Sequence, residues 1–302
     1  MDQILLVFMA VAEKRNFSRA AEELHMTQPS VSQQIQLLEK HIGAKLLIRT
    51  NKYVQLTKAG EIVYLHAKEI TSLYKRMSTL VNDLMNEASG HLKIGASYTF
   101  GEYVLPQILA EMKRLFPNVI PSVQIGNTRE IVQAALSYQI DIGIVEGEAT
   151  HTNLNIQPFA NDEMYIIAGT KSEIFAIEAV TLDQIENETW IVREEGSGTR
   201  EATERLFELL KIRPKNIIEF GSTQLIKEAV EAGMGITYLS ELAIKKEKLL
   251  NTIDYLKVGG TPIQRNFSII TDKIELQTKS MEIFIELVKK YYEKKSRNPF
   301  FI

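Results

Sequence analysis

The feature that most constrains this fold is an uninterrupted helical pattern over residues 58–88. Six apolar residues recur in it at steps of 7, 3, 4, 3 and 4: Val63, Ile70, Leu73, Met77, Leu80 and Leu84. This spacing places them on one seam of a helix, as in a coiled coil. A single helix, with Thr57 as its expected N-cap, has no core of its own. We therefore expect dimerisation through this seam; the alternative is an amphipathic helix packed on the rest of the chain.

The helix divides the 302-residue chain into three regions. Residues 1–57 have the pattern of short helices broken by polar turns, whereas apolar runs alternate with amphipathic helices from residue 92 onward. Such alternation favours mainly parallel α/β sheets. The predicted strands are residues 92–96, 119–125, 140–145, 164–168, 189–192, 217–220, 236–239 and 267–271. We predict a first domain at 1–57, a linker helix at 58–88 and a further domain at 92–302.

Composition excludes several classes of protein. With 45% apolar and 24% charged residues the chain is globular. It has no cysteine, which excludes a disulfide scaffold, a thiol nucleophile, a cysteine zinc site and an iron–sulfur cluster. No apolar run approaches the roughly 18 residues that span a bilayer, and the N-terminus lacks the basic segment of a signal peptide. We expect a cytoplasmic protein without a membrane partner.

The third predicted helix has two chemically different faces. Val31, Ile35, Leu38 and Ile42 form an inward apolar stripe. Off that stripe lie the short hydroxyl and amide side chains of Ser30, Ser32, Gln33, Gln34 and Gln36. Such side chains bond base edges and phosphates. With Ser18 as the expected N-cap of the second helix and Pro29 at the first position of the third, the pattern fits a helix-turn-helix. A three-helix bundle with a polar solvent face fits it as well.

A predicted hairpin separates these two alternatives. Residues 46–50 and 53–57 are short β runs around Asn51-Lys52, and they indicate a wing that places Arg49 and Lys52 near a phosphate or a minor groove. A bundle has no need of such a hairpin. Residues 1–58 also carry eight Lys/Arg and five Asp/Glu, a net charge of +3, whereas the remainder carries −6. A basic head suits a polyanionic partner, although a solvated face also accounts for three charges.

About sixty residues of this head carry a family resemblance. The stretches are Phe17-Ser18-Arg19-Ala20-Ala21-Glu22-Glu23-Leu24, Thr27-Gln28-Pro29-Ser30-Val31-Ser32-Gln33-Gln34-Ile35 and Leu56-Thr57-Lys58-Ala59-Gly60. They resemble the winged helix-turn-helix of LysR-type transcriptional regulators, in which position 47 is more often Phe than Leu. The resemblance implies that the linker helix dimerises and that DNA contacts come from Ser18, Arg19, Thr27, Gln28, Pro29, Ser30, Ser32, Gln33, Gln34, Arg49 and Lys52.

Small polar residues follow four predicted strands of the body, each just before a helix. They lie at residues 97–99, 126–128, 193–199 and 221–223. Helix N-termini present unpaired N–H groups and a partial positive charge. If they converge at the carboxyl edges of two sheets, they line a cleft for a small anionic or polar ligand. The competing explanation is that any α/β protein uses Gly, Ser and Thr at such turns.

The body resembles the effector domain of the same family, which is similar to periplasmic binding proteins. The matching stretches are residues 92–95, 140–146, 193–200 and 232–236, and residues 194–200 also resemble the branch that contains regulators of sulfur assimilation. The resemblance implies two α/β subdomains, about 92–161 with 267–302 and about 162–266. It implies effector contacts from Ser97, Thr99, Thr128, Glu146, Ser197, Gly198, Thr199 and Thr223. Of these, Glu146 suits an anion poorly and is expected to receive a donor group or to lie outside the contact shell.

An enzyme and a transport solute-binding protein are the rival classes. The five histidines are scattered without a His-Glu-x-x-His pair, and Gly196-Ser197-Gly198 is not a Gly-x-Ser-x-Gly elbow. The DNA-reading head disfavours a transport protein. We therefore predict a regulator that is not an enzyme, with no metal and no cofactor. Its expected partners are double-stranded promoter DNA, a small anionic or carboxylate effector, itself as homodimer or homotetramer, and RNA polymerase.

Overall fold

The computed structural model describes residues 2–49, 53–85, 88–273 and 276–297, and the chain forms two compact units. The first consists of residues 1–85 with 137–139, and the second of residues 86–136 with 140–302. Among the described residues, no helix is long and apolar enough to cross a membrane. Lys52, predicted at the tip of the wing, lies outside the described residues.

The first unit contains three short helices, a hairpin and a long helix. Its elements are α1 (Asp2–Lys14), α2 (Phe17–Glu23), α3 (Gln28–Ile42), β1 (Leu47–Arg49), β2 (Val54–Leu56) and α4 (Lys58–Met85). Strands β1 and β2 pair antiparallel, which confirms the predicted hairpin. The core of the unit is mainly apolar, with Phe8, Val11, Val31 and Ile35 fully buried.

Two helix starts differ from the sequence prediction. Asn16 caps α2, because its side-chain oxygen accepts hydrogen bonds from the backbone N–H groups of Ser18 and Arg19 at 2.9 and 3.0 Å. Ser18 is therefore the second helical residue and not the cap. Thr27 caps α3, so Pro29 occupies the second position of that helix. Asn and Ser cap about equally well, so only the backbone path decides between them. The predicted cap at Thr57 is confirmed by its 2.9 Å hydrogen bond from the Gly60 N–H.

A buried carboxylate ties α3 to the hairpin. Glu39 is 6% exposed, and its oxygens accept from the backbone N–H of Leu46 at 3.0 Å and from Lys45 Nζ at 2.8 Å. Burial raises the pKa of Glu39, but the hydrogen bonds from Lys45, Leu46 and Leu47 together lower it below the ordinary value. Glu39 thereby fixes the start of the wing relative to the recognition helix.

The second unit alternates strands and helices as the sequence predicts. Its strands are β3 (Gly90–Ser97), β4 (Val119–Gly126), β5 (Ile142–Glu146), β6 (Leu154–Gly169), β7 (Thr189–Arg193), β8 (Asn216–Phe220), β9 (Thr237–Ser240), β10 (Ile253–Tyr255) and β11 (Ile263–Asp272). Its helices are α5 (Tyr98–Tyr103), α6 (Leu105–Leu115), α7 (Thr128–Leu136), α8 (Leu182–Asn187), α9 (Gly198–Leu210), α10 (Thr223–Glu231), α11 (Glu241–Leu249) and α12 (Lys279–Arg297), with a 3₁₀ turn at Ile174–Ala176.

The sheets are only partly parallel, contrary to the expectation of mainly parallel pairing. The larger sheet has the order β10-β6-β11-β5-β3-β4, with β9 also paired to β6. Strand β3 runs parallel to β4 and β5, and β7 runs parallel to β8. The 16-residue β6 and the 10-residue β11 pair antiparallel along most of their length. The sequence analysis predicts only one end of each strand; the first half of β6 contains Pro158, and a proline argues against a strand interior.

Two main apolar cores lie at either end of this long pair. One contains Ile94, Phe100 and Phe284, and the other contains Ile166 and Trp190. The chain passes from one core to the other along β6 and β11. Polar residues on these crossing strands therefore stand between two packed regions, where a ligand can be enclosed.

Candidate functional site

The start of α3, with the neighbouring start of α2, forms an open polar surface. Most of the residues predicted to meet DNA are exposed there: Ser18, Arg19, Thr27, Gln28, Pro29 and Gln33, with Ser30 and Ser32 half-buried. N-terminal residues of a recognition helix are those that contact base edges in the major groove. The surface is thus available to DNA without any rearrangement of the described side chains.

Gln34 differs from the other predicted DNA contacts. It is half-buried, and its Oε1 is fully buried without a hydrogen-bond partner among the described residues. At 3.6 residues per turn, position 34 lies one residue from the buried Ile35 and three from the buried Val31. Gln34 therefore lies beside the core at the edge of the open face, and its contact with DNA stays a prediction.

Arg49 joins three elements of the head. Its guanidinium carbon lies 4.3 Å from the centroid of the Phe17 ring, and its Nη1 donates to Ser32 Oγ at 3.1 Å. Arg49 remains exposed, so its other N–H groups face solvent. This arrangement fixes the first strand of the wing against α2 and α3 while leaving charge for a phosphate.

Helix α4 presents a wide apolar face. Of the predicted seam, Ile70, Leu73 and Met77 are exposed and Leu80 is half-buried, whereas the side chain of Leu84 lies outside the described residues. Ile62, Leu65, Tyr74 and Val81 are also exposed. Val63 instead packs against the core of the head, so the structure gives it an intrachain role. An exposed apolar face of this extent is typical of an interaction surface.

The polar turns of the second unit do converge, and they are buried. Ser97, Thr99, Thr128, Glu146, Ser197, Gly198, Thr199 and Thr223 are all at most 9% exposed. They stand at the carboxyl ends of β3, β4, β5, β7 and β8 or at the starts of the helices that follow. A Cβ atom on Gly198 would collide with the carbonyl oxygen of Glu146. The start of α9 and the end of β5, which form two walls of the site, therefore approach each other closely there. We refer to these eight residues as the cleft.

Arg265 on β11 is the centre of the cleft. Its Nη1 lies 2.9 Å from Thr199 Oγ1 and 2.6 Å from Glu146 Oε2, and its Nη2 lies 3.0 Å from Thr99 Oγ1. Its Nε donates to Asp162 Oδ2 at 2.8 Å. One guanidinium therefore joins hydroxyls from both walls, because Thr99 follows β3 and Thr199 follows β7.

The environment of Glu146 explains how an acid is accommodated here. Its carboxylate accepts from the Thr99 backbone N–H at 2.7 Å and from Thr99 Oγ1 at 3.0 Å, besides its ion pair with Arg265. Donors of the chain itself thus satisfy Glu146, and its contact with an effector stays a prediction. Helix N-terminus, hydroxyl and guanidinium together form a cradle for a carboxylate.

Asp162 on β6 completes the charge cluster. It is 3% exposed, and it accepts from Ser240 Oγ as well as from Arg265. Burial raises the pKa of Asp162, and the charge of Arg265 only partly opposes that increase. Asp162 and Glu146 share the single guanidinium of Arg265, and the charge of Glu146 also raises the pKa of Asp162.

A second buried arginine lies at the end of β7. Arg193 is 1% exposed; its Nη1 donates to Thr223 Oγ1 at 2.9 Å, and its Nε donates to Glu194 Oε2 at 2.7 Å. Its guanidinium carbon lies 4.4 Å from the centroid of the Tyr98 ring. Asn127 Nδ2 donates to Glu194 Oε1 at 3.2 Å, which links the turn after β4 to the same group.

The sequence did not identify Arg265, Asp162, Arg193 or Ser240 as site residues. Arg265 lies between polar Gln264 and Asn266, so no pattern marks it as buried. Arg193 ends an apolar run, and this position is the sequence feature that could have indicated a buried arginine. A buried charge requires a partner, so it would also have indicated a paired acid. Within the described parts of the chain, no group of three or more His, Cys, Asp or Glu is placed to hold a metal ion.

An open recognition helix with a wing, together with an α/β domain that encloses a polar cleft, defines a ligand-responsive DNA-binding protein. Comparison with known proteins agrees. The model of the bacterial regulatory helix-turn-helix protein, lysR family, matches residues 3–61, and that of the LysR substrate binding domain matches residues 85–293. The chain belongs to the LysR family of transcriptional regulators.

Individual relatives match along nearly the whole chain. The HTH-type transcriptional regulator CysL of Bacillus subtilis is 37% identical over 290 residues, which cover 96% of this chain and 97% of CysL. Full-length CbnR in complex with its target DNA has a TM-score of 0.72 at 23% identity, covering 96% of this chain and 99% of that one. The Synechocystis CcmR regulatory domain in complex with 2-PG has a TM-score of 0.61 at 25% identity, covering 67% and 97%. These matches identify a regulator with a DNA-binding and an effector-binding domain, and not an enzyme.

Proposed function

We propose that the chain reads promoter DNA through the exposed face of α2 and α3, with Arg49 on a phosphate or in the minor groove. Ser18, Arg19, Thr27, Gln28, Pro29, Ser30, Ser32 and Gln33 supply the remaining contacts. Support comes from the exposure of this face and from the attachment of Arg49 to Ser32. A phosphate contact releases counterions, so its loss lowers the salt dependence of binding.

Fluorescence anisotropy with a promoter probe at several salt concentrations tests this proposal. Arg49→Ala should weaken binding and reduce the slope of log K against log salt by about 1. Lys75→Ala, which removes an exposed charge of α4 that is not among the predicted DNA contacts, is the control. An unchanged slope in Arg49→Ala would contradict the phosphate contact.

We propose further that α4 dimerises through its exposed apolar face, so that two heads read two half-sites. Ile70, Leu73 and Met77 support this because their exposure is otherwise unfavourable. The double variant Leu73→Lys and Met77→Lys should give a smaller species by sedimentation velocity. If its mass equals that of the wild type, the interface lies elsewhere. The same experiment at several concentrations distinguishes dimer from tetramer.

For the second unit, we propose a small anionic effector in the cleft. The observation that carries this proposal is the cradle around Glu146, where a backbone N–H, a hydroxyl and a guanidinium converge on one carboxylate. An anion that competes for these donors needs the two walls to separate, because the cradle is buried. The CcmR regulatory domain, similar in fold, is in complex with 2-PG, which supports a small-molecule site in such a domain.

Thermal unfolding of the full chain with sulfate, sulfite, thiosulfate, phosphate and several carboxylates tests the effector class. A ligand at 100 times its Kd adds about 2.7 kcal/mol to the free energy of unfolding. The resulting upward shift of the melting temperature should disappear in Thr99→Ala and Ser197→Ala. Ser172→Ala, whose hydroxyl bonds Gly169 outside the cleft, should retain it. A shift that survives in both cleft variants would place the anion elsewhere.

Effector binding would then change the DNA complex. If the two subdomains separate or close around the anion, the spacing of the DNA-binding heads and the contact with RNA polymerase change with them. Footprinting on a promoter with and without saturating effector measures this coupling. Identical footprints would contradict it.

A further inference from the structure

The short helix α5 carries a tyrosine at each end, and each ring lies against a cation from the other side of the cleft. The guanidinium carbon of Arg193 is 4.4 Å from the centroid of the Tyr98 ring, and Lys227 Nζ is 5.1 Å from that of the Tyr103 ring. Helix α5 follows β3, whereas Arg193 ends β7 and Lys227 lies on α10. Both cation–π contacts therefore cross the cleft.

The two sides of the cleft are named here by their first strands. The β3 wall consists of β3, β4 and β5 with α5, α7 and the turns between them. The β7 wall consists of β7 and β8 with α9, α10, α11 and their turns. Tyr103 packs against apolar side chains of both walls, because it contacts the core that contains Phe100 and the cluster that contains Ile226. A movement of one wall against the other therefore changes the surroundings of Tyr103.

Both cations are buried, which strengthens their attraction to the rings. Arg193 is 1% exposed and Lys227 is 4% exposed. A cation within about 6 Å of a ring centroid is attracted by the ring quadrupole, and the attraction is larger for a desolvated cation than at the surface. The two contacts therefore favour the arrangement in which the walls are close together.

Each cation also has an acidic partner on its own wall. Arg193 Nε donates to Glu194 Oε2 at 2.7 Å, and Lys227 Nζ donates to Glu247 Oε1 at 2.6 Å. If the walls separate, both cations keep these partners and lose only the aromatic face. A buried charge that loses its partner is strongly destabilising, and separation of the walls avoids that loss here. The cation–π contacts can therefore break and form again at modest cost.

We propose that α5 is a latch, in which Tyr98 on Arg193 and Tyr103 on Lys227 set the fraction of molecules with an open cleft. None of these four residues belongs to the cleft, so the groups that hold the walls differ from the groups proposed to contact the effector. The apparent affinity of a ligand that needs an open cleft falls with the open fraction. The latch thus adds a means of regulation to the proposed effector site, and this regulatory meaning rests on that proposal.

A backbone hydrogen bond between the walls reports on their separation. The N–H of Arg129, at the start of α7, donates to the carbonyl oxygen of Gly196 in the β7 wall at 3.1 Å. Two residues further on, the N–H of Ile131 donates to the carbonyl oxygen of Asn127 within the β3 wall at 3.0 Å. Separation of the walls frees the first N–H and leaves the second bonded. The two exchange rates therefore distinguish separation of the walls from unfolding of α7.

Amide hydrogen exchange of the full chain, without any ligand, tests the latch. Tyr103→Leu and Tyr98→Leu each remove one contact that only the closed arrangement has. Each should accelerate exchange at Arg129 by about tenfold, as expected for the loss of a desolvated cation–π contact. Exchange at Ile131 should stay at the wild-type rate in both variants.

Two control variants assign the effect to the ring and to its position. Tyr103→Phe keeps the aromatic face and should exchange at the wild-type rate. Tyr255→Leu removes a lysine–tyrosine contact of the same kind, since Lys248 Nζ lies 3.3 Å from the centroid of that ring. Neither of its partners lies on the β3 wall, because Lys248 belongs to α11 and Tyr255 to β10. Tyr255→Leu should therefore leave exchange at Arg129 unchanged.

Three results would overturn the latch. The first is a wild-type exchange rate at Arg129 in both leucine variants. The second is equal acceleration in Tyr103→Phe and Tyr103→Leu, and the third is equal acceleration at Ile131, which would indicate unfolding of α7. The anion panel is a separate measurement. If no anion stabilises the chain while Arg129 exchange follows the tyrosines, the effector proposal fails and the latch stands; the reverse pair of results removes only the latch.

Discussion

The two units of this chain place their candidate contact residues in opposite environments. In the head, Arg19, Gln28 and Gln33 are exposed over a mainly apolar core. In the effector domain, the candidate contacts are buried and already bonded to one another around Arg265. The proposed DNA surface is open as it stands, whereas the proposed effector would need the walls of the buried cleft to move apart. Such a difference would suit a regulator, because the part proposed to sense the effector is the part that would move.

The two units also differ in the pKa of one buried carboxylate each. Glu39 in the head accepts from three donors, and its pKa is lowered despite burial. Asp162 in the effector domain shares Arg265 with Glu146, and burial raises its pKa. At Asp162 desolvation outweighs the bonds from Arg265 and Ser240, whereas at Glu39 the bonds from Lys45, Leu46 and Leu47 outweigh desolvation. The head thus gains stability from its ionised acid, whereas the cleft retains an acid that ionises with difficulty.

The largest expected effect comes from breaking the cleft network. Arg265→Met leaves Glu146 and Asp162 buried without their partner, which should cost about 3–5 kcal/mol. Trp190, the single tryptophan, is fully buried in the second unit, so its fluorescence during urea unfolding reports on that unit. Arg205→Met breaks the exposed pair with Glu148 and should cost less than about 1 kcal/mol. Equal costs would show that the buried network does not hold the domain together.

A smaller loss of stability is expected when Glu39, the buried acid of the head, is removed. Glu39→Ala leaves the N–H groups of Leu46 and Leu47 unsatisfied and should cost about 2 kcal/mol. Amide hydrogen exchange at Leu46 and Leu47 measures the effect locally. Glu23→Ala, which removes a half-exposed pair with Lys14, should leave both rates unchanged. If exchange is equally fast in both variants, Glu39 does not fix the wing.

The recognition face itself should show a base-specific effect of about 1–2 kcal/mol. Gln33→Ala is expected to lower the affinity for the cognate site and to leave non-specific binding unchanged. Gln34→Ala is the matched comparison, because its side-chain oxygen is buried beside the core. Competition binding with cognate and scrambled DNA separates the two. An equal loss of specificity in both variants would indicate that Gln34 contacts DNA as Gln33 does.

The smallest expected effect is a pair of opposite pH dependences. The pKa of Glu39 is lowered on folding, so its stabilisation is present above the unfolded value and is lost as pH falls through the folded value. The pKa of Asp162 is raised, so its contribution is present below the unfolded value and is lost as pH rises through the folded value. Unfolding of Asp162→Asn, followed as pH rises above the ordinary carboxyl pKa, should therefore show a weaker decline in stability. An unchanged profile would mean that Asp162 does not titrate in that range.

Much of the architecture could be predicted from neighbouring residues. The hairpin, the long helix and the strand-to-helix turns each depend on patterns within a few positions, and the structure has them all. The sequence prediction failed where an element lacks such a pattern. The first half of β6 was missed because it contains Pro158, which argues against a strand interior, and the three-residue β10 is too short to show a period.

The sequence by itself determined the class of this protein, since the wing and the stretches that resemble the LysR family consist of residues close together in the chain. Only the tertiary structure decided which groups the cleft contains. Arg265 meets Thr99 across 166 positions and Asp162 across 103. Local spacing carries no trace of such pairs, because it is the antiparallel pairing of β6 with β11 that brings Asp162 opposite Arg265. A buried arginine requires carboxylates, and the fold alone decides which carboxylates reach it.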